Sequence, residues 1–333
     1  MNPALMSVDG LKMHFPVRGG IFKRTVGQVY AVDGVSFTIA PGQTLGLVGE
    51  SGCGKTTVGR CLTRLYRPTA GEIEFDGHDM CRVAAGELRA IRRDLQIIFQ
   101  DPFESLDSRQ TIGELLQEPF VIHRLGTPAE RRDQVAELLR RVGLQARMIH
   151  RFPHEFSGGQ RQRIGIARAI ALAPKLIICD EPVSALDVSI QSQILNLLLE
   201  LQAELGLAYL FIAHNLAVVK HISDTIAVMY LGRIVELTTA QRLYEQPRHP
   251  YSHALISAIP EPDPLADRER VILQGDVPSP LNPPPGCHFH PRCPYAKPRC
   301  REQVPELVPV PGTDGTEHLQ ACLRAGELDL QKN

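Results

Sequence analysis

A run of nine residues, Gly49-Glu50-Ser51-Gly52-Cys53-Gly54-Lys55-Thr56-Thr57, limits what this chain can fold into more than any other stretch. It follows TLGLV, residues 44–48, a short non-alternating run that predicts a buried strand. It precedes a segment that places Val58, Cys61, Leu62 and Leu65 on one helical face. A strand, a glycine-rich turn closed by Gly-Lys-Thr and a helix make up a phosphate-binding loop in an α/β protein. The glycines let backbone N–H groups converge on phosphate oxygens with no Cβ in the way. Lys55 supplies a positive charge for the β and γ phosphates, and Thr56 a hydroxyl for Mg²⁺. The helix then points its positive end at the anion. Cys53 reads as a small loop residue, not as a reactive thiol.

About a hundred residues further on, Phe156-Ser157-Gly158-Gly159-Gln160 has the makings of a second cradle. Ser157 can cap a helix N-terminus while Gly158 and Gly159 leave backbone N–H groups open. Two half-sites in one chain suggest that each is completed by a partner. The arginines that follow, Arg161, Arg163 and Arg168, read as a solvated helix face. The motif closes a helix-rich block from about 106 to 173. Inside that block Thr127-Pro128-Ala129-Glu130 is a capping box with proline at the first helical position. Val135, Leu138, Leu139 and Val142 then form a stripe that Gly143 closes. The block interrupts an α/β pattern and is read as a helical insertion.

After Pro174 the sheet pattern resumes with LIICDEP. Leu176 to Cys179 read as a buried strand with Asp180 and Glu181 at its C-terminal end, the edge where open α/β sheets bind ligands. A carboxylate pair there needs a partner such as Mg²⁺. Asp180 would hold the metal through water, and Glu181 would polarise an attacking water. Ser184 to Asp187, SALD, lead into a helix over 190–205. LAYLFIAHN, 207–215, is another buried strand ending at His214, and 225–237 read as a hairpin turning at Gly232. Residues 5–40 read as strands, as do 72–77. The strand over 96–99 ends in Gln100, which by itself reads as an ordinary loop amide.

Lysine and arginine (36) nearly balance aspartate and glutamate (37), which leaves no basic field for sequence-independent nucleic-acid binding. No run of about twenty apolar residues is present to span a bilayer. The start, MNPALMSVDGLKMHF, lacks a basic region followed by an apolar core, so no export signal is expected and the chain is placed in the cytoplasm. Beyond about Ala240 the sequence turns proline-dense, which predicts a segment that buries little core of its own.

GESGCGKTT, the strand-ending Gln100, FSGGQ, LIICDEP with SALD, and His214 occur in that order, and together they resemble the ATP-binding subunit of an ABC transporter over residues 5–250. The resemblance implies a P-loop cassette over 1–240, with a RecA-like core, an antiparallel β subdomain and a helical signature subdomain over about 104–173. It makes Gly49 to Thr57 the Walker A loop and Gln100 the Q-loop residue, which with Thr56 and Asp180 serves Mg²⁺. Ser157 to Gln160 become the signature offered to a partner's ATP, and Asp180 the Walker B residue. Glu181 becomes the catalytic carboxylate, Ser184 to Asp187 the D-loop, and His214 the switch histidine. Phe15 and Tyr30 are both candidates to stack on adenine.

The tail, QPRHPYSHALISAIP followed by GDVPSPLNPPPGCHFHPRC, resembles the oligopeptide and dipeptide importer branch, close to its dipeptide-type "F" ATPase. That branch implies a second homologous ATPase, two transmembrane permease subunits and an extracytoplasmic peptide-binding protein. It also implies peripheral attachment at the cytoplasmic face of the inner (plasma) membrane. Nickel and glutathione importers share the architecture. A non-transport ABC switch is the rival, but those proteins commonly carry two cassettes or a coiled-coil insertion.

Cys287, Cys293, Cys300 and Cys322 cluster in the tail, separated by five, six and twenty-one residues. The tight Cys-x₂₋₄-Cys knuckles of zinc ribbons are absent. The wider spacing fits a [4Fe–4S] cluster, which also takes four thiolates and which some members of the branch carry. Zinc stays open as the alternative, because His288 and His290 lie beside the first cysteine.

Overall fold

Residues 4–19, 24–101, 105–259, 271–310, 318–328 and 330 are described in this computed structural model. The inserted basic loop falls partly outside them, at 20–23, and so do residues 102–104 of the segment after Gln100. The chain divides into two compact units. One comprises Met1–Ile39, Thr44–Arg82 and Ala213–Asn333; the other comprises Ala40–Gln43 and Val83–Ile212.

In the first unit, β1 (Met6–Gly19) and β2 (Arg24–Ile39) pair antiparallel from Met6 opposite Ile39 to Gly19 opposite Arg24. β4 (Ala70–Phe75) lies along the other side of β1 and carries the two-residue β5 (His78–Asp79) at its edge. The alternation of β-branched and polar residues explains this sheet: Val32, Val35, Phe37 and Ile39 are buried while their neighbours face outward. β3 (Thr44–Val48) is buried at every residue and runs parallel to β9 (Thr225–Tyr230). Such two-sided burial is what its lack of alternation predicts. β10 (Arg233–Thr239) turns back on β9, and β12 (His318–Gln320) pairs with β10 and with β11 (Val308–Pro309).

The helix after the glycine-rich loop, α1 (Lys55–Leu62), is shorter than the stripe suggested. Arg64 takes a left-handed φ of 55°, and the N–H groups of Leu65 and Tyr66 both fold back on the Arg60 carbonyl. The chain therefore leaves the helix before Leu65, which stands 49% exposed and not in the core.

The proline-dense tail brings its own anchors. α8 (Ala240–Glu245) and α9 (Pro250–Ser257) precede the turn that carries Phe289. Tyr251 and Phe289 are fully buried against Tyr230 of β9, with ring centroids 4.8 to 5.4 Å apart in edge-on or tilted pairs. Such pairs contribute about 0.5–1.5 kcal/mol each beyond their buried area. The tail thus adds aromatic side chains to a core that β9 already occupies, which is how a segment poor in apolar runs can be ordered.

The buried carboxylate of Glu236 accepts the N–H groups of Arg248 (2.7 Å) and His249 (2.9 Å), and His318 Nε2 stands 2.7 Å from it. Burial holds the His249 imidazole down at about 4, against an ordinary 6.5, although the Glu236 carboxylate pulls the other way. His249 Nδ1 accepts the Tyr251 N–H at 3.1 Å, so the ring caps α9 only while that nitrogen is unprotonated. Between about 6.5 and about 4 the unfolded chain holds more protons at this site than the folded one, so stability falls as pH falls. Each pH unit in that window costs about 1.4 kcal/mol. The melting temperature is expected to drop across this range, and a His249→Asn variant, which keeps a capping acceptor, should show a flatter profile. Equal slopes in the two proteins would remove His249 as the cause.

In the second unit, β6 (Leu95–Ile98), β7 (Leu176–Asp180) and β8 (Ala208–Ala213) run parallel in that order. The inserted block contains α3 (Ile112–Ile122) and α4 (Pro128–Arg141), after the short α2 (Ala85–Ile91). Both α3 and α4 start with reciprocal capping boxes, Thr111 with Glu114 and Thr127 with Glu130. The stripe Val135, Leu138, Leu139 and Val142 is buried as its spacing requires. α5 (Gly158–Ile170) and α6 (Val188–Leu205) complete this unit.

Candidate nucleotide site

The first unit holds Gly49 to Thr57, and His214 as well. Lys55 is 4% exposed, and its ammonium donates to the Gly49 carbonyl at 2.8 Å and the Glu50 carbonyl at 3.0 Å. The loop is therefore wrapped around the lysine head. Gly54 allows this: its φ is 107°, and a Cβ there would lie 2.0 Å from the Ala31 carbonyl oxygen. Cys53 is buried in the same loop, and that burial pushes its thiol up, which keeps it protonated and unreactive as its sequence context suggested. Thr56 and Thr57 stand half-buried in the first turn of α1.

Of the two adenine candidates, Phe15 packs edge-on against Tyr66 at 5.3 Å, and Tyr30 edge-on against His14 at 4.6 Å. His14 pairs across the ladder with Tyr30, and Phe15 with Val29, so Phe15 and Tyr30 lie on opposite faces of the sheet. His214 is exposed just past β8. The residue after it, Asn215, caps α7 (Leu216–Ile222) by accepting the Ala217 N–H at 2.9 Å, a task that asparagine performs as well as aspartate.

The second unit brings two of the sequence-assigned residues together. The Gln100 amide donates to Glu181 Oε2 at 3.1 Å, across 81 positions of sequence. Asp180, the last residue of β7, is 2% exposed, and the backbone then turns sharply. Glu181 adopts a φ of 46°, a left-handed conformation that costs a non-glycine residue about 1–3 kcal/mol. Its N–H donates to the Ile212 carbonyl at 3.0 Å, and its carbonyl accepts the Ser184 hydroxyl at 3.1 Å. These bonds hold the carboxylate out at the strand end, beside Gln100. Asp187 caps α6 by accepting the Ile190 N–H at 3.0 Å.

Ser157 caps α5 in a reciprocal box. Its hydroxyl accepts the Gln160 N–H at 3.3 Å, and the Gln160 side chain accepts the Ser157 N–H at 3.1 Å. The serine stays exposed at the helix start. Gly159 is required by packing, since a Cβ there would fall 2.5 Å from Ile190 Cγ2 on α6. The start of α5 and the first turn of α6 are thus in direct contact.

Contrary to expectation, the arginines that follow do not form a free solvated face: Arg161 is buried, Arg163 and Arg168 are partly buried, and all three are bonded to other elements. Arg161 donates to the Pro153 carbonyl (2.8 Å) and Arg163 to the Val142 carbonyl (2.7 Å). Arg168 bridges Glu118 (2.8 Å) and the Ser105 carbonyl (2.9 Å). Helical spacing alone cannot reveal this, because the acceptors, three backbone carbonyls and the Glu118 carboxylate, lie on other elements.

In the tail, the Cys287 N–H donates to the Cys300 carbonyl at 2.9 Å. Burial pushes the Cys287 and Cys293 thiols up to about 11, with a smaller upward push from the other cysteines of the quartet. Among the described residues, however, no three His, Cys, Asp or Glu side chains gather closely enough to form a group that could hold a metal ion.

The ABC transporter family profile matches residues 32–184, and the profile of the oligopeptide/dipeptide transporter C-terminal region matches 235–300. The oligopeptide transport ATP-binding protein AppF of Bacillus subtilis is 55% identical over 96% of this chain and 96% of its own length. The chain belongs to the ATP-binding subunits of oligopeptide/dipeptide-type ABC transporters. A probable peptide ABC transporter ATP-binding protein of Sinorhizobium fredii is 54% identical over 98% of this chain and 93% of its own. Among solved structures, a dimeric ATP-binding cassette in a post-hydrolysis state with ADP and Pi superposes with a TM-score of 0.63. That match has 28% identity and covers 71% of this chain and 98% of the cassette. The fold is thus the α/β P-loop cassette of ABC ATPases. No helix among the described residues is long and apolar enough to cross a membrane.

Proposed function

We propose that this chain is the ATP-hydrolysing subunit that energises import of di- or oligopeptides through a membrane-bound ABC complex. The observation that carries this reading is the pairing, in one chain, of an ABC cassette with the C-terminal region of oligopeptide and dipeptide transporters. Gly49 to Thr57 would take the phosphates, with Lys55 giving up its loop carbonyls for the β and γ oxygens. Thr56, Gln100 and Asp180 would serve Mg²⁺, which neutralises charge on the phosphates when bound. Glu181 would accept the proton of the attacking water, and His214 would respond to the γ-phosphate. Ser157, Gly158, Gly159 and Gln160 would complete the site of a second, homologous ATPase, and Asp187 would hold the D-loop at that contact. Two transmembrane permease subunits and an extracytoplasmic binding protein would complete the assembly, with this chain attached peripherally at the cytoplasmic face of the inner membrane.

Uptake by cells lacking this chain tests the substrate class. Labelled di- and oligopeptide uptake is expected to fall to background while nickel and glutathione uptake persist. Loss of nickel or glutathione uptake instead would assign the same architecture to that cargo. Tagged chain purified from detergent-solubilised membranes should bring down two permeases and a second ATPase; recovery with ribosomes or DNA would instead make it a non-transport switch.

Cys287, Cys293, Cys300 and Cys322 are read as the ligands of a [4Fe–4S] cluster, with zinc as the alternative. Four cysteines in one tail, at spacings wider than zinc knuckles, support this. Anaerobically purified protein should show a broad visible absorption band and about four irons per chain. Colourless, iron-free protein would end the cluster reading, and stoichiometric zinc would replace it.

A further inference from the structure

Three contacts converge on Glu50, the second residue of the phosphate loop, and two of them come from the C-terminal extension. The Glu50 N–H donates to Tyr251 Oη at 2.9 Å. Its carboxylate receives both arms of the Arg292 guanidinium, at 2.7 and 3.1 Å, and the arginine side chain is only 8% exposed. Its carbonyl accepts the Lys55 ammonium. Both ends of the residue's backbone and its side chain are therefore held at once.

Arg292 is well fixed for this role. It ends a short 3₁₀ turn, His290–Arg292, directly after Phe289, which is buried between Tyr230 and Tyr251. The Arg292 N–H returns to the Phe289 carbonyl at 3.0 Å, and His290 Nδ1 lies 2.9 Å from the Cys287 carbonyl. The same segment is tied to the strands around the loop: the Tyr30 N–H donates to the Pro280 carbonyl, and His288 Nδ1 sits 3.2 Å from the Leu231 carbonyl.

A carboxylate at the entrance of a loop that receives a polyanion is an electrostatic liability. Unpaired, Glu50 would repel the triphosphate across a partly desolvated gap. Bidentate pairing with a nearly buried guanidinium cancels that charge and fixes the carboxylate's direction.

We propose that Arg292, assisted by Tyr251, is a positioning residue of the phosphate loop. Through it the C-terminal extension neutralises and clamps Glu50, and so sets the affinity of the cassette for nucleoside triphosphate. The proposal rests on the reading of Gly49 to Thr57 as the phosphate loop. It gives the extension a role at the nucleotide site that cassettes without such a tail must do without.

Titration of the full-length chain with the fluorescent analogues mant-ATP and mant-AMP, alongside melting temperatures without nucleotide, tests it. Arg292→Met is expected to weaken mant-ATP binding about tenfold, or about 1.4 kcal/mol, and mant-AMP binding much less, because the uncovered charge acts on the outer phosphates. Adding Glu50→Gln to that variant should bring mant-ATP affinity back to within about threefold of the parent, since the repelling charge is gone. Tyr251→Phe, which removes one hydroxyl, should weaken binding about threefold. Arg292→Gln carries the same comparison if the methionine variant fails to fold. Parental affinity in the Arg292 variants, or no recovery in the double variant, overturns the proposal and leaves Arg292 as a packing anchor. Lys55→Ala separates the two levels: if it binds mant-ATP like the parent, the phosphate-loop reading itself fails.

Discussion

Glu181→Gln is expected to keep ATP bound while turnover in the assembled transporter falls by about 10²–10⁴-fold, the usual contribution of a positioned general base. The two side chains have the same shape, so the amide oxygen can still accept from Gln100, which now lies 3.1 Å from Oε2. What disappears is the negative charge that, under the proposed function, would take the proton of the attacking water. The backbone of residue 181 sits in a left-handed conformation held by Ile212 and Ser184, and neither bond depends on the side chain. The strand end should therefore keep its geometry, and a loss of rate cannot be put down to misfolding. Phosphate release and retention of radiolabelled ATP on the same sample provide the measurement. Turnover within a few fold of the parent would move the base role to another group.

Gly54→Ala is expected to reduce nucleotide affinity by at least about a hundredfold, equivalent to about 2.7 kcal/mol. Two costs combine. A left-handed φ penalises any Cβ by about 1–2 kcal/mol, and the new methyl would lie 2.0 Å from the Ala31 carbonyl oxygen. That oxygen belongs to β2 and cannot rotate away as a side-chain tip can, so the loop must move and carry the amide of Lys55 with it. Gly52→Ala is the matched control. Its φ is 79°, but no atom lies within 4 Å of the added methyl, so only the conformational cost applies. Titration with mant-ATP should rank parent, Gly52→Ala and Gly54→Ala in that order of weakening affinity. Equal losses in the two variants would show that conformation, not the Ala31 contact, governs the position.

Features written in residues close in sequence were legible before any coordinates. The capping box at Thr127 and the cap at Ser157 each lie within four residues and both form, and the structure adds the reciprocal Gln160 side-chain bond at Ser157. The uniform burial of β3 follows from its lack of alternation. The stripe on α4 followed from helical periodicity, and only its last turn needed the structure to fix where the helix ends. Leu65 marks the limit of that approach: its spacing suited the α1 face, but a left-handed Arg64 ended the helix first. The same limit explains Arg161, Arg163 and Arg168, whose acceptors are carbonyls and a carboxylate from other elements.

By itself, the sequence determined the glycine-rich loop between β3 and α1, the capped start of α5 and the carboxylates at the end of β7. Each of these is a local pattern whose geometry is set by neighbours a few bonds away. Tertiary structure alone decided that Gln100 meets Glu181, that Gly159 must have no Cβ because Ile190 crosses it, and that Arg292 reaches Glu50 across 242 positions. Contacts of that kind depend on how the strands and turns bring distant segments together, and no periodicity or spacing in one stretch of chain encodes its distant partner.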